Sequence, residues 1–346
     1  MSKAAVLAGI LDGAESLAIV CHDDPDPDCL ASALALEAIA DARGVEEVTI
    51  LYGGEISHQQ NRAFVKDLAI DAVRGDEFSI EAVDCVAFVD HSRRGGNSTV
   101  PRSVEPDVVV DHHPGETVPA TFTDVRVDYG ATATIFVEYL MELDIELTTR
   151  LASALLFALH RERLDFVREP TRREYEAALA VYPDADLPTL ERLYGSAFTP
   201  ETIDAIAHAI TTRERQGAAL VASAGRTTES DALPQAADYL LNLEGIDTDL
   251  VYGIVDEYVR LSARTIDPNV HVGRALVEAY ADLGSVGGHH DMAGGRIPLD
   301  VLTEGRSDYG FDTPQNTIAR ALKPRFFDAI SHAGDGDTKG EWGSPE

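Results

Sequence analysis

The sequence predicts an α/β protein: a mostly parallel sheet with helices on both faces, followed by a smaller α/β domain across a cleft. Three observations carry that expectation. Short apolar runs, such as LAIV at 17–20 and VVV at 108–110, are too brief for helices and too uniformly apolar for half-exposed strands. Segments of helical period separate these runs. The chain has 346 residues, room for about two domains of ordinary size.

The elements follow in order. A short amphipathic helix precedes the first strand. The loop CHDDPDPD (21–28) is rich in residues that disfavour regular structure. CLASALALEAIADARG reads as a helix stopped by Gly44. VTILYGG is the next strand, NRAFVKDLAI is helical, and CVAFVD and DVVVDHHP are strands. GATATIFVEYLMEL and TTRLASALLFALHRERL carry strong helical patterns, and the first domain is set at residues 1–195. Residues 196–230, ending near SAGRTTES, read as a connector. The second domain, 231–325, reads helix, strand (DLVYGIVDE), strand (YVRLSARTI), helix, Gly/His loop (SVGGHHDMAGG) and strand. Residues 326–346 are expected to be a partly disordered tail.

Charge narrows the partners. Lys and Arg total 28 against 60 Asp and Glu, a formal net charge of −32, and only four of the bases are lysines. Hydrophobic residues make up 45%, enough for a sizeable core, so this is no disordered acidic chain. Long duplex DNA and anionic membrane surfaces are disfavoured, because both are held by excess Lys and Arg. The acids are spread along the whole chain, as in halophilic proteins. Three cysteines make no disulfide framework, and no apolar run approaches the ~18 residues of a membrane span. A soluble, cytoplasmic protein is expected.

Polar residues sit where an open α/β sheet binds ligands, just past the carboxyl ends of its strands. His22, Asp26 and Asp28 follow the first strand. Asp90 ends AFVD, and Asp111, His112 and His113 end VVVD. Carboxylates mixed with imidazoles suit a divalent cation such as Mn²⁺, with Mg²⁺ or Co²⁺ as substitutes. No cysteine pair points to structural zinc. Crowded carboxylates repel one another, so the cation-free rim is expected to be loosened and partly protonated.

In HDDPDPDCLASALAL, FVDHS and DHHP the sequence resembles the DHH phosphoesterase family. GGHHDMAGG (287–295) resembles the glycine-rich signature of the DHH-associated C-terminal domain, and VRLSARTI its arginine-bearing segment. The resemblance covers roughly residues 10–300. It implies two Mn²⁺ ions: one on His22 and Asp26, one on Asp28 and His112, with Asp90 between them. His113 would face the scissile phosphate, and Asp111 would orient a ligand imidazole. The family's fourth motif supplies another aspartate; here Glu162 stands at that position, with Asp165 three residues later. Asn61 matches a family asparagine facing the site and equally suits a helix N-cap; Ser92, Arg93 and Arg94, following Asp90, suit contact with phosphate or exposed loop charges. Arg264, Gly287, Gly288 and His289 would hold substrate.

The two-domain layout resembles the NrnA-type members, which implies hydrolysis of nanoRNA, pApA, pAp or a cyclic dinucleotide by water activated between two cations. The expected partner is thus a short oligonucleotide or dinucleotide, and homodimerisation is compatible. Three alternatives accompany this: a RecJ-like single-strand exonuclease, a family II pyrophosphatase, and a non-catalytic RecJ-like scaffold.

Overall fold

The computed structural model describes residues 2–56, 58–93, 98, 100–101, 103–163, 165–167, 170–195, 198–303 and 314–335. The chain divides into two compact units, Met1–Ala197 and Phe198–Glu346.

The first unit contains helix α1 (Lys3–Leu11), strand β1 (Ser16–Asp23), α2 (Pro27–Arg43), β2 (Glu47–Gly53), α3 (Gln59–Asp67), β3 (Ala72–Arg74), β4 (Cys85–Val89), β5 (Val108–Asp111), β6 (Phe122–Val125), α4 (Thr132–Glu142), α5 (Thr149–Glu162), α6 (Arg172–Val181) and α7 (Leu187–Gly195). The strands order as β3-β2-β1-β4-β5-β6, and every pairing is parallel. This is a doubly wound sheet whose winding reverses between β1 and β4. The central strands are buried on both faces, which explains their unbroken apolar runs. Leu17, Ile19 and Val110 join a core under α1, α2, α4 and α5. Ala18, Val20, Phe88 and Val109 pack on the opposite face against Ile80, in the single turn Ile80–Ala82, and its neighbours.

Two local features shape the rim. β1 continues through Cys21, His22 and Asp23, so the expected loop shrinks to a few residues. α2 begins at Pro27 with Asp26 as its N-cap, which places Asp28 in the first helical turn. Gly44 ends α2 in the left-handed conformation, as its position suggests.

The second unit contains α8 (Pro200–Thr212), β7 (Glu214–Gln216), β8 (Ala219–Arg226), α9 (Ala232–Leu241), β9 (Thr248–Val255), β10 (Tyr258–Thr265), α10 (Val272–Tyr280), β11 (Ser285–Gly288), β12 (Met292–Pro298), α11 (Leu299–Thr303) and α12 (Pro314–Asp335). Its sheet runs β11-β12-β10-β9-β8-β7; β8 and β9 are parallel and the other pairs antiparallel. α10 and α12 cover one face, over Val259, Leu261 and Ile297. α8 and α9 cover the other face over β8 and β9, and α9 reaches β10, where Asp238 meets Arg264.

Three expectations change here. The connector at 196–230 instead holds α8 and β8, because Leu220, Val221 and Ala222 are core residues of the second sheet. The Gly/His loop is a hairpin, β11 pairing with β12. The tail does not begin at 326: α12 runs to Asp335, and Phe326 and Ala329 are buried in the core. The rest of that tail lies outside the described residues.

Candidate metal centre

Asp90 stands at the centre of the rim. It follows the last residue of β4 with φ +60, a left-handed conformation that Asp tolerates better than most side chains. That turn aims the carboxylate across the rim. Oδ1 accepts from Thr132 Oγ1 at 2.7 Å and lies 3.7 Å from His112 Nε2. Oδ2 lies 3.5 Å from His22 Nε2. One buried carboxylate therefore presents a different oxygen to each of two imidazoles.

His112 is buried, and its Nδ1 faces the Tyr129 carbonyl at 3.2 Å. Burial pushes its pKa down, so the ring is neutral with the proton on Nδ1. Nε2 is left with no hydrogen-bond partner, aimed at Asp90 and at Asp28 Oδ2, 3.7 Å away. A buried imidazole lone pair between two carboxylates fits a cation. Asp28 is itself held by the N-terminus of α4, accepting from the backbone N–H of Thr132 and of Ala133 at 2.8 Å each.

His22 and Asp26 complete the other side. Burial alone pushes His22 down, but its hydrogen bond to Asp90 and the charges of Asp26 and Asp90 outweigh that and raise it to about 10. Asp26 and Asp28 lie above the usual carboxylate range, first through burial and then through repulsion from Asp90. Glu162, the last residue of α5, is pushed up to about 8 by burial and by the charges of Asp26 and Asp90. Asp165 points elsewhere: it hydrogen-bonds His160 and Tyr194. Asp90 alone among these carboxyls is lowered; burial raises it, but His22 and His112 overcome that. Without a divalent cation the rim takes up protons in its place. Its carboxylate and imidazole donors fit such a cation.

His113 is exposed and tied to Asp111, whose Oδ1 accepts from His113 Nδ1 at 2.8 Å and from its backbone N–H at 3.0 Å. That bond raises His113 to about 9. Asp111 sits at about 2: burial opposes its charge, and the His113 hydrogen bonds more than compensate. The imidazole that Asp111 orients is thus His113; His112 is oriented by the Tyr129 carbonyl. Ser92 is buried, and Arg93 donates to the Pro114 carbonyl. Arg94 lies outside the described residues. His58 caps α3, while Asn61 donates to the Pro25 carbonyl beside the rim. Cys21 and Cys29 are buried, and the Cys29 Sγ–H points at the Val89 carbonyl. The sequence reading missed Thr132, Ala133 and Tyr129. They act largely through backbone groups, which every residue type carries.

In the second unit, the part of the sheet face that α9 leaves bare forms an open groove of about 820 Å³. Arg264, Gly287, Gly288 and His289 all line it. Arg264 is held by Asp238 Oδ1 at 2.8 Å and by Ser262. The N–H of His289 donates to the Met292 carbonyl, closing the hairpin turn. The N–H groups of Val272 and Gly273, at the start of α10, go to the carbonyls of His290 and His289. A Cβ on Gly273 would lie 2.4 Å from the Gly288 oxygen, so glycine there serves close packing. A Cβ on Gly287 would meet nothing within 4 Å. Arg260 and Arg296, which the sequence reading passed over, also line the groove.

No helix among the described residues is long and apolar enough to cross a membrane. Residues 16–159 match the DHH family, N-terminal domain, and residues 216–308 match the DHHA1 domain. An uncharacterized protein of Methanocaldococcus jannaschii is 35% identical over 288 residues, covering 83% of this chain and 59% of that one. The chain thus spans less than two thirds of that relative. A probable manganese-dependent inorganic pyrophosphatase of Listeria welshimeri is 28% identical over 175 residues, covering 49% of this chain and 56% of its own. An exopolyphosphatase-related protein from Bacteroides fragilis superposes with a TM-score of 0.73 at 13% identity, over 94% of this chain and 97% of its own, a likeness of fold. The acidic rim thus lies within the stretch that matches the DHH family, N-terminal domain, and the groove within the stretch that matches the DHHA1 domain.

Proposed function

We propose that this chain is a divalent-cation-dependent hydrolase of phosphate esters, acting on short nucleotide substrates such as nanoRNA, pApA, pAp or a cyclic dinucleotide. The observation that carries the reading is Asp90, one oxygen toward His112 and the other toward His22. A carboxylate so placed suits a pair of cations. Asp26, Glu162 and His22 would hold one with Asp90, and Asp28 and His112 the other. Mn²⁺ suits the mixed donors, and the manganese dependence of the Listeria relative's description agrees. When bound, such cations supply Lewis acidity and a water of lowered pKa.

The chain's own residues then do four things. Thr132 and Ala133 fix Asp90 and Asp28 against movement. The Tyr129 carbonyl keeps the His112 proton off Nε2. His113, an imidazolium at neutral pH, stabilises charge on phosphate oxygens and can donate a proton to a leaving oxygen, while Asp111 stays ionised behind it. Arg264 and His289 bind a distal phosphate. The net charge of −32 disfavours long nucleic acid but not a short substrate held by cations and arginine. A reducing cytoplasm, rich in salt, fits the free cysteines and the acidic surface.

The test is incubation with Mn²⁺ and, separately, pApA, pAp, cyclic di-AMP, pyrophosphate and long single-stranded DNA. Turnover of the short nucleotides is expected. Cutting of the long DNA alone would favour a RecJ-like exonuclease, and turnover of pyrophosphate alone a pyrophosphatase. No turnover, with no stoichiometric Mn²⁺ on elemental analysis, would leave a scaffold.

A further inference from the structure

β10 and β12 place two arginines face to face. Arg260 and Arg296 are direct cross-strand partners, and both are exposed. Like charges directly opposite on antiparallel strands destabilise the pairing. In a chain with 60 carboxylates an acidic neighbour would be easy to place, yet among the described residues neither arginine makes an ion pair. Arg296 lies only over the Tyr258 ring, 5.4 Å from its centroid. Arg264, by contrast, has Asp238. Such a conflict between local cost and overall composition marks a position kept for a ligand.

The register says where that ligand lies. Arg260, Ser262 and Arg264 alternate onto one face of β10, and their partners on β12 are Arg296, Gly294 and Met292. All six line the groove. Gly294 and, on β11, its partner Gly287 leave the middle of its floor free of side chains. Arg260 stands four residues from Arg264, which at strand rise is ~13 Å. The rise of a stacked strand is ~3.4 Å per phosphate measured along its axis alone, and the sugar between phosphates lengthens the direct step, so ~13 Å reaches past the neighbouring phosphate.

We propose that Arg260 and Arg296 form a second anion subsite, engaging a phosphate beyond the nearest neighbour along a linear chain whose end lies at Arg264. The ligand is an extended polyphosphorylated chain, either a short oligonucleotide or an inorganic polyphosphate. This rests on the phosphate-binding role proposed above for Arg264, not on the chemistry of the rim. Two guanidinium forks on facing strands match the oxygens of one phosphate. The bound anion removes the repulsion that the empty pair carries.

The experiment measures binding to the full chain in EDTA, so that nothing is hydrolysed. The ligands are 5′-phosphorylated pentaadenylate, linear pentaphosphate and pApA. The variants are Arg260→Gln, Arg296→Gln and the double substitution. For the double variant the loss on a five-unit chain is expected to exceed the loss on pApA by about tenfold. The slope of log affinity for pentaadenylate against log salt should fall by about 0.7, the share of one neutralised phosphate of a single strand. Weakening of the pentaadenylate alone identifies a nucleotide chain, of pentaphosphate alone a polyphosphate, and of both a site that reads phosphate without base. Wild-type affinity in the double variant, or an equal loss on pApA, overturns the subsite. The melting temperature controls for folding: removing opposed like charges should not lower it. If the chains bind as expected but no Mn²⁺-dependent turnover of any substrate is found, the hydrolase reading fails and the subsite stands.

Discussion

The two units carry opposite local charge and support it in opposite ways. The rim of the first gathers Asp26, Asp28, Asp90 and Glu162, buried or half-buried, behind the carboxyl ends of parallel strands. The groove of the second spreads Arg260, Arg264 and Arg296 across an exposed sheet face. The carboxylates are fixed by backbone donors, hydroxyls and imidazoles that cannot reorient far. The arginines stand on strands whose alternation places them on one face. A net charge of −32 describes neither place. One place gathers carboxylates and the other guanidinium groups, so the proposed cation and phosphate contacts are tested separately.

The sharpest way to break that contrast is at Asp90. Asp90→Asn keeps the shape but removes the charge that faces both imidazoles. Turnover should fall by at least ~10³, worth about 4 kcal/mol in the transition state. Binding of pentaadenylate to the groove in EDTA should not change. Turnover within tenfold of wild type would remove Asp90 from its central role. A second test adds cation alone. Mn²⁺ at a hundredfold excess over its dissociation constant should stabilise the first unit by about 2.7 kcal/mol. Hydrogen exchange should show slower opening of β1, α2 and α4, with β9 and β10 unaffected. Equal protection of both units would mean that the cation does not bind at the rim.

What could be read from the sequence divides along the same line. His22, Asp90 and His112 were visible because polar residues directly after apolar runs fall on one rim of a parallel sheet. The α4 N-terminus that holds Asp28 was not, since backbone N–H groups leave no mark in composition. β3 and β6, three and four residues long, fall below the length at which alternation can be counted. In the second unit, resemblance pointed to Arg264, but VRLSARTI does not tell which strand lies opposite. The meeting of Arg260 with Arg296 is a fact of register.

Two fully buried carboxyls give smaller effects of opposite sign. Glu174 in the first unit accepts from the backbone N–H of Gly130 at 2.7 Å and of Thr171 at 2.6 Å, closing a capping box on α6. Burial opposes its charge, but the bonds to Thr171 and Gly130 outweigh it and hold the carboxyl below its usual range. A depressed carboxyl contributes stability above its unfolded pKa and loses it as pH falls through the folded value. Glu174→Gln should therefore cost about 2 kcal/mol at pH 7 and progressively less in acid, measured by urea unfolding of the first unit. A cost that is constant with pH would show that shape rather than charge matters there.

Asp249 in the second unit is the converse. It lies opposite Arg264 on β9, fully buried, and neither side-chain oxygen has a hydrogen-bond partner. Burial holds it well above the carboxylate range, and the Arg264 charge only partly offsets that. In the unfolded chain it ionises near the ordinary value of about 3.9. Between that pH and the folded value the native state binds the extra proton, so the second unit loses stability as pH rises. Asp249→Asn is neutral throughout. It should remove that slope and gain about 1 kcal/mol at pH 7, measured by urea unfolding from pH 4 to 7. A slope parallel to wild type would mean that Asp249 ionises freely where it stands. Mn²⁺ separates the two kinds of raised carboxyl. At the rim a cation displaces the protons on Asp28 and Glu162 and flattens the pH dependence, whereas beside Arg264 only the proton relieves Asp249, and its slope persists in Mn²⁺.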